Sequence, residues 1–246
     1  MLGIFKLRRG DLHHEGWTHP ESPDIRHSRL TPAATFSPWL TDSAFLAAYQ
    51  QIRKFTLVDI YRCYELWSLA QQTSRIDGAI LEVGVWRGGS GCLLALAAPQ
   101  KTVYLADTFE GVVNAGPRDT RYRGGEHSDT SEEVVRRLLA STGATNAQLL
   151  KGIFPRDTAA SISGPVSLLH VDVDVYQSAK DTVEWVLPRL LPGSIIVFDD
   201  YGFYGCEGIT RYVSELREQH PELVFLHNLN GHAIFIKTLN SPPRTP

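Results

Sequence analysis

The chain has 246 residues, 43% apolar and 21% charged, and a net charge of −3 with His counted neutral. That is enough for one large α/β domain or a tight two-domain arrangement; the composition excludes bulk disorder, and no strongly basic face is implied, so nucleic acid is not an expected partner. Three scattered cysteines (Cys63, Cys92 and Cys206) make no CxxC pair and no metal-ligand spacing, and there is neither a signal-peptide core nor a run of about 18 apolar residues, so a reduced, cytoplasmic chain with no membrane span is expected.

Residues 1–42 read as an irregular N-terminal arm, rich in proline (Pro20, Pro23, Pro32, Pro38) and histidine (His13, His14, His19, His27). The scattered histidines fit solvated surface better than a metal site. With Trp17, Phe36 and Trp39 the arm could serve as a lid or a packing strap. Residues 43–246 read as the functional domain. Over 43–73 the apolar stripe Phe45, Tyr49, Ile52, Phe55 predicts helix, and Leu57, Ile60, Tyr61, Tyr64, Leu66 and Trp67 extend the apolar content into a second helix. Ala79–Val85 predicts a buried strand, Ser90–Ala98 a helix, and Thr102–Ala106 a strand ending at Asp107. Residues 110–128 predict a mobile loop and Ser131–Leu139 a helix. Gln148–Leu150 is a weak strand, Val166–Val171 a strong one, Ala179–Leu191 a helix, Ile195–Phe198 a buried strand and Ile209–Gln219 a helix. Asn230-Gly231 between two apolar runs predicts a terminal hairpin. Alternating strands and helices imply a parallel sheet covered on both faces, and the hairpin adds one antiparallel strand.

Two patterns carry chemistry. The first is Leu81-Glu82-Val83-Gly84-Val85-Trp86-Arg87-Gly88-Gly89-Ser90, a small-residue turn from strand to helix, followed one strand later by Asp107. Glycines let a ligand approach the backbone, the helix start offers N–H groups, and an acid at the next strand end suits a ribose diol. Trp86 occupies the second glycine position of the dinucleotide fingerprint, which disfavours NAD. Glu82 suits a cofactor with an α-amino group, as S-adenosylmethionine has. The second pattern is Asp172 and Asp174 closing one strand and Asp199-Asp200 closing the next. Residues two apart on a strand share a face, so up to four carboxylates converge at one edge if the extension persists. Such crowding calls for a hard cation, and Mg²⁺ suits a few aspartates plus substrate oxygens.

Taken together, the segments LEVGVWRGGS (81–90), LADTFEG (105–111), KGIFPRDT (151–158) and HVDVDVYQS through FDDYG (170–202) resemble the macrocin O-methyltransferase family, over roughly residues 36–238. The resemblance implies a class I methyltransferase, Rossmann-like α/β fold, with a seven-stranded, mostly parallel sheet, an antiparallel last strand and helices on both faces. It implies Mg²⁺ held by Asp172, Asp199 and Asp200, and Asp174 as general base. It also implies S-adenosylmethionine contacts at Glu82, Gly84 and Ser90 for the methionine part, Asp107 for the ribose, Gly152 and Phe154 as adenine wall, and further cofactor contacts at Gly88, Phe109 and Asp172. His170 and Val173 depart from the Arg and Gly common in the family, and His170 is the rival base.

The function expected is methyl transfer to a hydroxyl of a small molecule, most directly a sugar of a glycosylated natural product in antibiotic biosynthesis, by a homo-oligomer. The alternatives are a catechol-type phenolic O-methyltransferase, an NAD-dependent oxidoreductase, and a cofactor-binding module without activity, which would not need converging carboxylates.

Overall fold

The computed structural model describes residues 16–30 and 34–239; His13, His14 and Pro32 of the arm lie outside them. The arm's described part is less irregular than expected. It forms an antiparallel hairpin, β1 (Trp17–His19) and β2 (Ser22–His27). His27, read as solvated surface, is instead 8% exposed and hydrogen-bonded to Glu207 at 3.0 Å. A partner 180 residues away leaves no local trace in sequence.

Two helices follow, each started by an aspartate. Asp42 accepts the Phe45 N–H at 2.9 Å and caps α1 (Ser43–Ile52); Asp59 accepts those of Tyr61 and Arg62 and caps α2 (Ile60–Thr73). Both satisfy donors that a first helical turn leaves free. Phe55, read as part of the first helical stripe, falls in the break between them. Its carbonyl accepts the Gly89 N–H at 2.9 Å, so the break lies over the glycine turn.

Then come β3 (Ala79–Val83), α3 (Gly89–Ala97), β4 (Val103–Asp107), α4 (Glu132–Thr142), β5 (Ala147–Lys151), β6 (Val166–Val171), α5 (Tyr176–Val186), β7 (Leu190–Phe198), α6 (Glu207–Gln219), β8 (Leu223–His227) and β9 (Ala233–Lys237). The seven strands lie in the order β5-β4-β3-β6-β7-β9-β8, and β9 alone runs against the direction of the other six. Alternation along each strand fills two core layers. Leu81, Leu169, Ile196 and Phe198 pack with residues of α5 and α6, while Ile80, Leu105, Leu168 and Val197 pack with α1, α2 and α3.

The register aligns Val83 with Ala106 and Val171, and Val171 with Phe198. The strand ends therefore deliver Gly84, Asp107, Asp172 and Asp199 to one edge of the sheet. The loop at 110–128, expected to be mobile, carries no regular element but is pinned at several points. Val112 N–H donates to the Glu126 carbonyl at 2.8 Å, the Ser178 hydroxyl to the Val113 carbonyl at 3.0 Å, and Tyr176 N–H to Asp119 at 2.8 Å.

Candidate active site

A cleft of about 210 Å³ opens at that sheet edge, and Gly84, Asp107, Gly152, Phe154, Asp172, Asp174 and Asp200 all line it. Gly84 has φ +89°, and a Cβ there would stand 1.6 Å from the Asp172 carbonyl oxygen. Only glycine lets β3 and β6 close this tightly beneath a ligand. Gly84→Ala is therefore expected to cost at least about 1–3 kcal/mol of stability, read as a lower urea midpoint. A native midpoint would remove the close-approach argument.

Asp107 is engaged by the protein itself. Its Oδ2 accepts the N–H groups of Val85 (2.6 Å) and Trp86 (2.8 Å), and its Oδ1 accepts that of Phe109 (2.7 Å). The acid thus holds the glycine loop in shape, and the oxygens' remaining lone pairs are what a ligand could use. Phe154 is 4% exposed and packs edge-on to Trp185 at 5.1 Å, a flat apolar wall.

Five other sequence-predicted site residues do not line the cleft. Gly88 sits against Val135 of α4, Ser90 is buried in α3, and Phe109 joins the core beneath. Glu82 is 0% exposed and hydrogen-bonds His170 Nδ1 at 2.9 Å. It shares the inward face of β3 with Ile80, so it lies under the glycine loop rather than in the cleft. Asp199, 4% exposed, also stands behind the cleft. The helix start is partly used too, since Phe55 takes the Gly89 N–H.

The carboxylates cluster as expected, by a different backbone path. Extension stops at Val171, and Asp174 adopts φ +63° in a tight turn closed by Val175 N–H to the Val173 carbonyl at 2.7 Å. Asp174 thus reaches the cleft by this turn and not by strand alternation. Ligand atoms of Asp172, Asp199 and Asp200 lie within 4.8 Å of one another. Burial, then the Asp199 charge, pushes Asp172 well above the usual carboxylate range; burial, then Asp174 and Asp172, does the same to Asp200. Asp200 Oδ2 is buried without a hydrogen-bond partner. Crowded carboxylates with an unsatisfied oxygen fit a hard divalent cation, which supplies the missing positive charge.

Asp199 is different, and two of the residues that make it so, Arg62 and His232, were not singled out in the sequence. Arg62 Nη1 bonds its Oδ2, and His232 Nε2 lies 3.0 Å from its Oδ1. His232 Nδ1 is bonded in turn to Glu65, and Arg62 Nε to Asp59 at 2.8 Å. His170 Nε2 stands 3.7 Å from Asp199 Oδ1, beyond hydrogen-bond length. Burial opposes ionisation of Asp199, but His170, His232 and Arg62 overcome it and hold the group far below the usual range. Burial would lower His170, yet Asp199 and Glu82 raise it to about 10. Fully buried between those acids, His170 does not reach the cleft. A charged Arg62 beside the apolar Cys63 and Leu66 was the one available signal. Tyr122 and His127, from the loop after β4, also line the cleft.

A nucleoside-sized cleft at the carboxyl edge of this strand order, floored by a glycine turn, defines a class I methyltransferase fold. The macrocin-O-methyltransferase (TylF) family model matches residues 48–237, and the chain belongs to that family. Among its relatives is an 8-demethyl-8-(2,3-dimethoxy-alpha-L-rhamnosyl)-tetracenomycin-C 4'-O-methyltransferase of Streptomyces olivaceus, 31% identical over 145 residues, 53% of this chain and 56% of that protein. Another is mycinamicin III 3''-O-methyltransferase of Micromonospora griseorubida, 28% identical, spanning 67% of this chain and 71% of that one. The chain thus covers little more than half the length of the first. The O-methyltransferase NovP superposes with TM-score 0.64 at 26% identity, over 75% of this chain and 82% of that one. CalS11, a calicheamicin methyltransferase, superposes at 0.61 with 17% identity over 85% of this chain and 99% of its own, a likeness of fold alone.

Proposed function

We propose that this protein is a Mg²⁺-dependent O-methyltransferase that moves a methyl group from S-adenosylmethionine to a hydroxyl of a sugar on a glycosylated natural product. The observation that carries the reading is the meeting, in one cleft, of the glycine turn at Gly84 with the carboxylates of Asp172, Asp174 and Asp200, one oxygen of which has no partner. The relatives that methylate sugar-bearing antibiotics by name support the acceptor class.

Asp172, Asp199 and Asp200 would hold Mg²⁺, with Asp199 using the lone pairs that Arg62 and His232 leave. A bound Mg²⁺ would lower the pKa of a hydroxyl beside it. The protein's own groups do the rest. Asp107 fixes the glycine loop that receives the methionine end, and Gly152 and Phe154 form the wall for the base. Asp174 takes the hydroxyl proton. S-adenosylmethionine, when bound, would supply the methyl group to the acceptor oxygen and leave as S-adenosylhomocysteine. In-line placement of the two reacting atoms matters as much as proton removal.

The test is methyl transfer from labelled S-adenosylmethionine to a panel of rhamnosylated and other deoxysugar glycosides beside catechols, with EDTA and Mg²⁺ add-back. Thermal shift with S-adenosylhomocysteine and with NAD runs in parallel. Sugar methylation lost in EDTA and restored by Mg²⁺ is expected. Stabilisation by NAD alone, or turnover confined to catechols, overturns the reading.

A further inference from the structure

The loop between β4 and α4 closes at both ends on one residue of the glycine turn, Trp86. At the loop's start, Asp107 Oδ2 accepts the Trp86 N–H at 2.8 Å. At its end, the Thr130 hydroxyl donates to the Trp86 carbonyl, and Asp129 Oδ1 accepts the indole N–H at 2.8 Å. Arg87 joins the same contact. Its Nη2 donates to Asp129 Oδ2 at 2.6 Å and its Nε to the Asp129 carbonyl at 3.0 Å, while its guanidinium lies over the Trp86 ring, 4.6 Å from the centroid. The mechanism above uses neither Asp129 nor Trp86.

Trp86 has φ +48°, a backbone state that a bulky residue adopts only where its surroundings impose it. It lines the cleft beside Gly84, and the loop lines the same cleft with Val112, Val113, Tyr122 and His127. A residue gripped by both ends of the loop passes a displacement of either wall to the other. The side chains of Arg87 and Asp129 are 36% and 62% exposed, and an ion pair so placed adds little to global stability. What these contacts do fix is where the Trp86 ring stands and how the loop's end meets the glycine turn.

We infer that Asp129 is a positioning residue that acts through Trp86 and couples occupancy of the cofactor site to order in the loop between β4 and α4. A ligand settling against the glycine turn holds Trp86, and through Asp129 and Thr130 it holds the loop that forms the opposite wall. Without Asp129 the indole turns freely and the loop's end is released. Ligand binding must then order both groups again, which costs affinity, and the order no longer spreads into the loop. This inference rests on the proposed function, in which the glycine turn receives S-adenosylmethionine.

The experiment measures S-adenosylhomocysteine affinity by calorimetry, with the ligand-free melting temperature, for the native protein, Asp129→Ala, Asp129→Asn, Trp86→Phe and the double variant Trp86→Phe/Asp129→Ala. Asp129→Ala is expected to bind about tenfold more weakly, a usual size for coupled sites, with a near-native melting temperature. Asp129→Asn keeps an oxygen for the indole N–H and is expected to recover part of that loss. Trp86→Phe keeps an aromatic ring and removes the N–H; it is expected to cost affinity alone and nothing further beside Asp129→Ala. Amide exchange reads the coupling directly. The N–H groups of Arg123, Gly124 and Gly125 bond within the loop, to Glu126 and to the Val112 carbonyl, and these residues do not line the cleft. Saturating S-adenosylhomocysteine is expected to slow their exchange in the native protein and not in Asp129→Ala. Native affinity in Asp129→Ala, a loss in the double variant that adds in full, or equal slowing with and without Asp129 overturns the positioning role and leaves the function standing. A native protein that does not bind S-adenosylhomocysteine overturns the function, and this role with it.

Discussion

Asp200→Asn is expected to abolish Mg²⁺-stimulated methyl transfer and, at the same time, to raise the melting temperature of the metal-free protein. The two effects share a cause. Asp200 Oδ2 is buried without a partner, and burial, Asp174 and Asp172 together raise the group well above the usual carboxylate range. A carboxyl whose folded pKa is raised binds its proton more tightly in the folded state. Stability is therefore lost as pH climbs from the unfolded value through the folded one, and the penalty is complete only above the folded value. Each tenfold tightening of proton binding is about 1.4 kcal/mol, or roughly 3–6 °C of melting temperature at this chain length. Asparagine removes the charge and keeps the shape. Its gain should shrink as the solution is acidified below about pH 4, where the native carboxyl is neutral in both states. Added Mg²⁺ should stabilise the native protein and not the variant. Differential scanning calorimetry across pH, with and without Mg²⁺, checks all three parts. A metal-free variant that melts below native would show that Asp200 is structurally satisfied and not held in reserve for a cation.

Asp199 gives the contrast. Removing it leaves Arg62, 8% exposed at its side chain, and His232, fully buried, facing each other without their shared carboxylate. Breaking such a buried pair costs about 3–5 kcal/mol. Loss of activity in Asp199→Ala is therefore no clean reading of metal ligation, and Asp200 is the better position to test.

Asp174→Asn should lower turnover by about 10²–10⁴-fold, the usual contribution of a general base, with S-adenosylhomocysteine affinity and Mg²⁺ stabilisation near native. The carboxylate lines the cleft, its side chain is 15% exposed, and the turn at φ +63° aims it apart from the strand's own alternation. Asp and Asn tolerate this backbone state better than most residues, so the substitution leaves the turn in place. His170 is no substitute: fully buried between Glu82 and Asp199, it offers no nitrogen to the cleft. His170→Gln is expected to show itself as lost stability, because two acids then lose the charge between them. Near-native turnover in metal-loaded Asp174→Asn would remove Asp174 from the proton's path.

The sequence by itself determined the architecture and the family. Apolar runs of strand length alternating with amphipathic helices fix a parallel sheet, because a strand buried on both faces needs no polar alternation. The strand-end motifs at Gly84, Asp107, Asp172 and Asp200 were legible because parallel strands bring their carboxyl ends to one edge, whatever the packing details. What only the tertiary structure decided is which way each polar side chain turns and what it meets. Glu82 and Gly84 are two residues apart, yet one lies under the sheet edge and the other in the cleft, since the chain leaves the strand between them. Asp199 and Asp200 are adjacent and opposite in character. Asp199 is neutralised by Arg62 of α2 and by His232 in the turn between β8 and β9, while Asp200 faces its own kind. Those partners lie 137 and 33 residues from Asp199, and nothing local in the sequence couples them. Burial sets the energy of each charge, and burial is a property of the packed molecule rather than of any segment of the chain.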